Sequence, residues 1–150
     1  MLRRAHQIAT AVFLAETAEL GITTTQFGIL YLLKHRPSID QVSVARLLGL
    51  DRSTTGMVLK TLEAAGHVSR VVGSADKRRR NLQLTPAGAE LLVKLDSRAA
   101  KAVEHLLAPL DPDERPVFLG LLTKLTDAFN ATSRVPLIGD LSARSDAGDL

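Results

Sequence analysis

Residues 68–88, VSRVVGSADKRRRNLQLTPAG, decide the fold of this chain. Apolar residues at every second position predict two short strands, 68–72 and 81–85. The glycine, serine and aspartate between them are typical of a turn, which predicts a β-hairpin. The hairpin carries a run of basic residues: Lys77, Arg78, Arg79 and Arg80. This charge density favours contact with a polyanion, although a solvated turn is an equally common use of such a cluster.

The residues before the hairpin have the spacing of a helix-turn-helix. A short helix capped by Ser43 is predicted to end at Gly49, and a second helix, capped by Asp51 or Ser53, to continue to about residue 65. The exposed side of the second helix is predicted to carry Arg52, Ser53, Thr54, Thr55 and Lys60. At least one of the hydroxyls is expected to cap the helix instead of facing outward. Two helices, a glycine turn and a hairpin together predict a winged helix-turn-helix lobe.

Amphipathic helices are predicted on both sides of this lobe. The apolar spacing predicts helices over 2–20 and 25–36 before it, with a loop over 37–41. After it, Thr85 is predicted to cap a helix of about two dozen residues, and Asp111 to cap a last helix. The first helix has little chain before it, so it must pack on distant residues or on a second copy of the protein.

Composition and charge narrow the possible functions. The chain has 150 residues, 45% of them hydrophobic and 3% aromatic, so we expect a mainly α (α+β) fold with an aliphatic core. The absence of cysteine excludes disulfides and thiolate zinc sites, and the four separated histidines predict no metal site. Residues 46–85 have a net charge of +5 and the remainder has −2, which is typical of a nucleic-acid-binding surface flanked by scaffold.

Several functional classes have no support in the sequence. No apolar run reaches the roughly 18 residues of a membrane span, so we expect no membrane partner and a cytoplasmic location. Nucleophilic triads, phosphate-binding glycine loops and paired catalytic carboxylates are not recognisable. We therefore expect no enzymatic activity and no cofactor.

The order of elements, together with a motif in the hairpin, resembles the MarR family of bacterial transcriptional regulators. The motif consists of Asp76, Arg78, Leu84, Thr85 and Gly88. It is similar to that family's wing signature of Asp-x-Arg, Leu-Thr and Gly. The segments LGLDRST (48–54) and LEAAGHV (62–68) are similar to the family's sequence into and out of the recognition helix. The flanking helices match in length and position.

The resemblance implies a homodimer that binds double-stranded DNA. Residues 1–132 would form one domain, in which 23–86 are the DNA-binding lobe and 1–22 and 87–132 form the dimerisation layer. Residues 133–150, which lack periodicity, would be a loosely ordered tail. The two recognition helices would enter successive major grooves of a pseudopalindromic operator.

The same resemblance assigns roles to the hairpin residues. Arg78 would enter a minor groove, where an A·T tract concentrates negative potential. Asp76 would hold the guanidinium of Arg78 in place, unless it only caps the turn. The other cations, Lys77, Arg79 and Arg80, would face phosphates with less specificity.

The recognition helix departs from the family in its middle. Many relatives carry a polar-basic pair there, whereas this chain has Gly56 and Met57. Gly56 would allow a close approach of the helix to DNA, and Met57 could contact the methyl group of thymine. Ser53, Thr54 and Thr55 remain the better candidates for base edges or phosphates, and Arg52 and Lys60 are the candidates for phosphates.

Relatives in the family often bind small aromatic or phenolic acids between the dimerisation layer and the DNA-binding lobe. An aromatic carboxylate is therefore the expected effector, and its candidate ligands are Arg4, His6, Phe13, Phe27 and Tyr31. Each of the aromatic residues would also serve as ordinary core. The prediction is a repressor released by such a ligand. The alternatives are a ligand-independent DNA-binding repressor or architectural protein, and an enzyme or protein-interaction module that uses the helical layer alone.

Overall fold

The computed structural model describes residues 1–72 and 80–129, and these form a mainly helical structure with a small sheet. In chain order its elements are α1 (Leu2–Glu16), a 3-10 helix (Ala18–Leu20), α2 (Thr24–His35), β1 (Ile39–Asp40), α3 (Gln41–Leu48), α4 (Arg52–Ala64), β2 (Val68–Val72), β3 (Arg80–Leu84), α5 (Pro86–Leu107) and α6 (Glu114–Phe129). The predicted fold class, a mainly α winged helix-turn-helix, is confirmed.

Side-chain caps determine where several helices begin. Asp51 caps α4 and Thr85 caps α5, both as predicted. The prediction for α3 is wrong, because Asp40 and not Ser43 is its N-cap. The Asp40 carboxylate accepts a hydrogen bond from the Ser43 backbone N–H at 2.8 Å. Gly49 ends α3 in the left-handed conformation, with φ of 64°.

The sheet has three antiparallel strands in the order β1-β3-β2. The hairpin strands β2 and β3 are those predicted, with β3 beginning one residue earlier, at Arg80. The segment 37–41 was predicted to be a loop, but it contains β1, in which Ile39 pairs with Leu82. Strand β1 therefore ties the start of the helix-turn-helix to the wing.

The first helix is shorter than predicted. The sequence predicts one helix over 2–20, whereas α1 ends at Glu16 and a 3-10 helix follows. The break occurs at Thr17, whose buried hydroxyl hydrogen-bonds the backbone oxygens of Phe13 at 2.8 Å and Ile22 at 3.3 Å. These bonds turn the chain toward α2.

The hydrophobic core lies in the helix-turn-helix lobe. Its fully buried aliphatic side chains come from α2, α3, α4, β3 and the first half of α5: Ile29, Leu30, Leu33, Val44, Leu59, Leu62, Leu82, Leu92 and Leu95. The recognition helix α4 is held from behind by Leu59 and Leu62. The first half of α5 belongs to the same packing unit, so α4 and α5 are fixed relative to each other.

The outer helices contribute little to this core. Neither α1 nor α6 has a buried residue, although α1 packs on α5. On α6 the exposed apolar side chains are Val117, Phe118, Leu119, Leu121, Leu122, Leu125 and Phe129. Among the described residues, none of the helices combines the length and apolarity that a membrane span requires.

Candidate nucleic-acid interface

The start of α4 is fixed by the carboxylate of Asp51. It accepts hydrogen bonds from the Thr54 backbone N–H at 2.9 Å and from the Thr54 hydroxyl at 2.6 Å. These hydrogen bonds from Thr54 stabilise the charged form and hold the pKa of Asp51 below its ordinary value. The Thr54 hydroxyl proton is therefore directed into the cap, which leaves only the oxygen lone pairs for another partner.

The prediction that Thr55 faces DNA is wrong. Its side chain is 0% exposed, and its hydroxyl donates to the backbone oxygen of Asp51 at 2.8 Å. Thr55 precedes Leu59 and Leu62 by four and seven residues, so helical geometry places all three on the side that packs against the core.

The outward face of α4 carries the other predicted residues. Arg52, Ser53, Met57 and Lys60 are all exposed, and the exposed fraction of Met57 is 63%. They line a groove of about 560 Å³ together with Gln41, Gly56, Glu63 and Arg70, of which only Gly56 was singled out from the sequence. The groove runs along α4 and borders β2. Its cations can meet phosphates, and its hydroxyl and thioether can meet base edges.

A network across three elements closes one side of this groove. The guanidinium of Arg70, on β2, pairs with the carboxylate of Glu63, on α4. The same guanidinium donates from Nη1 and Nη2 to Oε1 of Gln41, at the start of α3, at 3.4 Å each. Arg70 and Gln41 are 29 residues apart. Local periodicity carries no signal for such a contact.

The predicted wing contacts involve residues outside the described part of the chain. Asp76, Lys77, Arg78 and Arg79 lie in the gap at 73–79. Arg80 begins β3, where its backbone pairs with Val72. The roles assigned to these side chains remain predictions.

Three of the predicted effector residues lie together between α1 and α2. The ring centroids of Phe13 and Phe27 are 5.5 Å apart, and those of Phe27 and Tyr31 are 5.7 Å apart. The row continues to His35, which the sequence prediction missed, at 4.8 Å from Tyr31. Such tilted ring pairs can bind a flat aromatic ligand or can simply pack together.

The two predicted cationic ligands are set apart from this aromatic row. Arg4 and His6 are exposed in the first turns of α1. His6 precedes Phe13 by seven residues, which corresponds to about 10 Å along the helix axis. The predicted role of Arg4 or His6 as carboxylate ligand beside these rings therefore stays a prediction.

Comparison with known proteins identifies the family. A profile described as "MarR family" matches residues 20–79. The PcaV transcriptional regulator from Streptomyces coelicolor has the same fold with a TM-score of 0.75, and it is 33% identical over 87% of this chain and 95% of its own. The chain belongs to the MarR family.

Two further relatives extend the comparison. Bordetella bronchiseptica BpsR, whose DNA binding is regulated by 6-hydroxynicotinic acid, matches with a TM-score of 0.78 and 28% identity, over 84% of this chain and 90% of its own. The HTH-type transcriptional repressor NicR from Pseudomonas putida is 28% identical over 85% of this chain and 81% of its own. Two other curated relatives are longer, and the matched region spans 66% of their length.

In this MarR-family chain, ion pairs connect α5 to the elements around the aromatic row. Lys34 Nζ on α2 lies 3.3 Å from Asp96 Oδ2, and Arg98 Nη2 lies 2.9 Å from Glu19 Oε2. Farther along α5, the imidazole of His105 lies 3.6 Å from the carboxylate of Glu16. Within residues 1–72 and 80–129 there is no cluster of three or more side chains able to hold a metal ion. The candidate sites are thus a groove suited to DNA and an aromatic row next to α5.

Proposed function

We propose that this chain is a homodimeric repressor that binds a pseudopalindromic operator and is released by a small aromatic or phenolic carboxylate. The observation that carries the proposal is the outward face of α4, where exposed Arg52, Ser53, Met57 and Lys60 stand on a helix anchored by buried leucines. A rigid helix with a polar and cationic outer face has the form that enters a major groove.

The homodimer is supported by the exposed apolar side chains of α6. Leu121 and Phe129 are each 62% exposed and Val117 is 61% exposed. A stripe of this kind is costly in water and is normally covered by another surface. A second copy related by a two-fold axis would cover it with the same stripe and would give the pair two α4 helices for two half-sites.

The effector is supported by the aromatic row and by two relatives. Phe13, Phe27 and Tyr31 form a surface for an aromatic ring at the boundary between α1 and the lobe. PcaV from Streptomyces coelicolor has also been solved with its natural ligand, and BpsR responds to 6-hydroxynicotinic acid. We propose that Arg4 or His6, from this chain or from the partner copy, binds the carboxylate.

Release would follow from the connection between the row and α5. A ligand that wedges α1 from α2 would act on the Lys34–Asp96 and Glu19–Arg98 ion pairs, and through them on α5 and the spacing of the two recognition helices. The ligand can lower operator affinity only by the ratio of its affinities for the two spacings.

DNA binding is tested by fluorescence anisotropy with duplexes from upstream of the chain's own gene. Binding should weaken as salt rises, and Arg52→Ala and Lys60→Ala should each reduce the slope of log K against log salt by about 1, whereas Lys101→Ala on α5 should leave it unchanged. Arg78→Ala should lose affinity and also show a shallower slope. Equal binding of Arg78→Ala and wild type at matched salt would contradict the wing assignment.

Effector binding is tested by a thermal-shift screen of aromatic acids. A ligand that binds the folded protein must raise Tm as its concentration rises. The active compound should also weaken DNA binding, and Tyr31→Ala should remove both effects. If no aromatic acid raises Tm, the ligand-independent repressor replaces the regulated one.

A further inference from the structure

The groove beside α4 contains a side chain to which the proposed function gives no role. Gln41, the first residue of α3, is half-buried and lines the groove with Gly56 and Arg70. We propose that the Gln41 amide donates a hydrogen bond to a phosphate of the DNA backbone and thereby positions α4 in its groove. This inference rests on the proposed binding of DNA.

The orientation of the Gln41 amide is set by Arg70. A guanidinium has only donors, so the atom that it contacts must be the amide oxygen. Nη1 and Nη2 of Arg70 both donate to Oε1 of Gln41 at 3.4 Å. The Glu63 carboxylate accepts from Nε of the same guanidinium and holds it in place. Nε2 of Gln41, with its two N–H donors, therefore faces away from Arg70.

Gly56 provides the space that Nε2 occupies. A Cβ built at residue 56 would lie 3.2 Å from Gln41 Nε2, which is tighter than nine in ten real Cβ contacts, so the amide would have to shift by a few tenths of an ångström. Because Gly56 has no side chain, the side-chain amide of Gln41, on α3, can lie across the middle of α4. The amide of Gln41, a donor from another helix, thus lies over Gly56.

A phosphate oxygen is the acceptor that suits this donor best. When the second helix of a helix-turn-helix lies in the major groove, the first helix crosses the DNA backbone, and Gln41 is at the start of that first helix. Arg52 and Lys60 line the same groove and would neutralise neighbouring phosphates, while the charge of Glu63 is already balanced by Arg70.

The first test is Gln41→Glu, which keeps the size of the side chain and an oxygen for Arg70 but replaces the donor by a negative charge. We expect it to weaken binding to the operator and to a mixed-sequence duplex of about three helical turns by the same factor, roughly tenfold to a hundredfold. The matched control is Gln83→Glu, which makes the same charge change in the same lobe. The Gln83 amide donates to the Ser38 hydroxyl at 2.7 Å and does not line the groove.

A double-mutant cycle tests the role of Gly56. Gly56→Ala should displace the Gln41 amide and weaken binding to both duplexes. In a Gln41→Ala background the same change should weaken binding less, because the donor is already absent and only the direct effect of the methyl group on the approach of α4 to DNA remains. Additive losses would overturn the proposed link between the two residues. If circular dichroism shows that Gln41→Glu does not fold, the double-mutant cycle still tests the proposed contact.

The outcomes separate this inference from the proposed function. If the wild-type protein shows no salt-dependent binding to either duplex, the proposed function fails and the Gln41 contact fails with it. If the wild type binds and Gln41→Glu binds as tightly as Gln83→Glu, only the Gln41 contact is overturned. A loss confined to the operator would also overturn it, since a phosphate contact acts on every sequence.

Discussion

Gly88 is the position at which one added methyl group should most strongly disturb the junction between the hairpin and α5. A Cβ at residue 88 would lie 2.1 Å from the backbone oxygen of His67 and 2.9 Å from Cδ1 of Leu84. That His67 oxygen accepts a hydrogen bond from the Thr85 backbone N–H at 3.1 Å. Gly88→Ala must therefore push the start of α5 away from the turn that follows α4.

The size of the effect follows from three contributions. Overpacking against a backbone atom costs about 3 kcal/mol. Loss of the hydrogen bond from Thr85 to His67 costs about 1 kcal/mol, and the better helix propensity of alanine offsets about 1 kcal/mol. The free energy of unfolding of Gly88→Ala should thus be lower by about 3 kcal/mol, which for a chain of this length lowers Tm by roughly 6–12 °C.

The assay is urea unfolding followed by far-ultraviolet circular dichroism, at one protein concentration because the stability of the proposed dimer would depend on concentration. Gly120→Ala is the matched control, since its Cβ would meet nothing within 4 Å. The free energy of unfolding of Gly120→Ala should equal that of wild type or exceed it by up to about 1 kcal/mol. If Gly88→Ala is as stable as wild type while Gly120→Ala behaves as expected, the steric reasoning is refuted.

Two further predictions concern the helix cap and the dimer. The lowered pKa of Asp51 means that its contribution to stability is complete above the ordinary aspartate pKa, near 4, and is lost as pH falls through the lowered value. Asp51→Asn keeps a neutral cap, so its stability deficit in urea unfolding should be present at neutral pH and shrink in acid; a deficit independent of pH would contradict this. Leu121→Glu should give a monomer by light scattering at micromolar concentration, whereas Lys124→Glu on the same helix should remain dimeric. A dimeric Leu121→Glu would remove α6 from the interface.

The sequence predicts most elements of the fold because their signals are local. Strands β2 and β3 follow from alternation, and the starts of α4 and α5 follow from the caps Asp51 and Thr85. Strand β1 has only two residues, which is too short for alternation to be seen. The break at Thr17 depends on its buried hydroxyl, and this is determined by tertiary packing.

The candidate site also contains residues that local sequence signals predict and residues that only the folded structure brings together. The outward positions of Arg52, Ser53 and Lys60 follow from the apolar stripe of α4. The inward position of Thr55 could also have been predicted from the sequence, because its spacing to Leu59 places both residues on one face of the helix. By contrast, Gln41 reaches the groove through Arg70, which is 29 residues away, so only the assembled structure brings the two together.

The placement of α5 explains why a small change near the aromatic row can matter for DNA. The helix has 22 residues and is therefore about 33 Å long. Leu92 and Leu95 bury its first half in the lobe that holds α4, whereas Val103 and Leu106 in its second half are exposed and would belong to the dimerisation layer. Because the lobe is close-packed, it moves with α5 as one body.

In the proposed dimer, a tilt of about 5° at the second half of α5 would displace α4 by about 3 Å over this length, which is comparable to the rise between neighbouring base pairs. A ligand between α1 and α2 would weaken operator binding by at most the factor by which it prefers the tilted state.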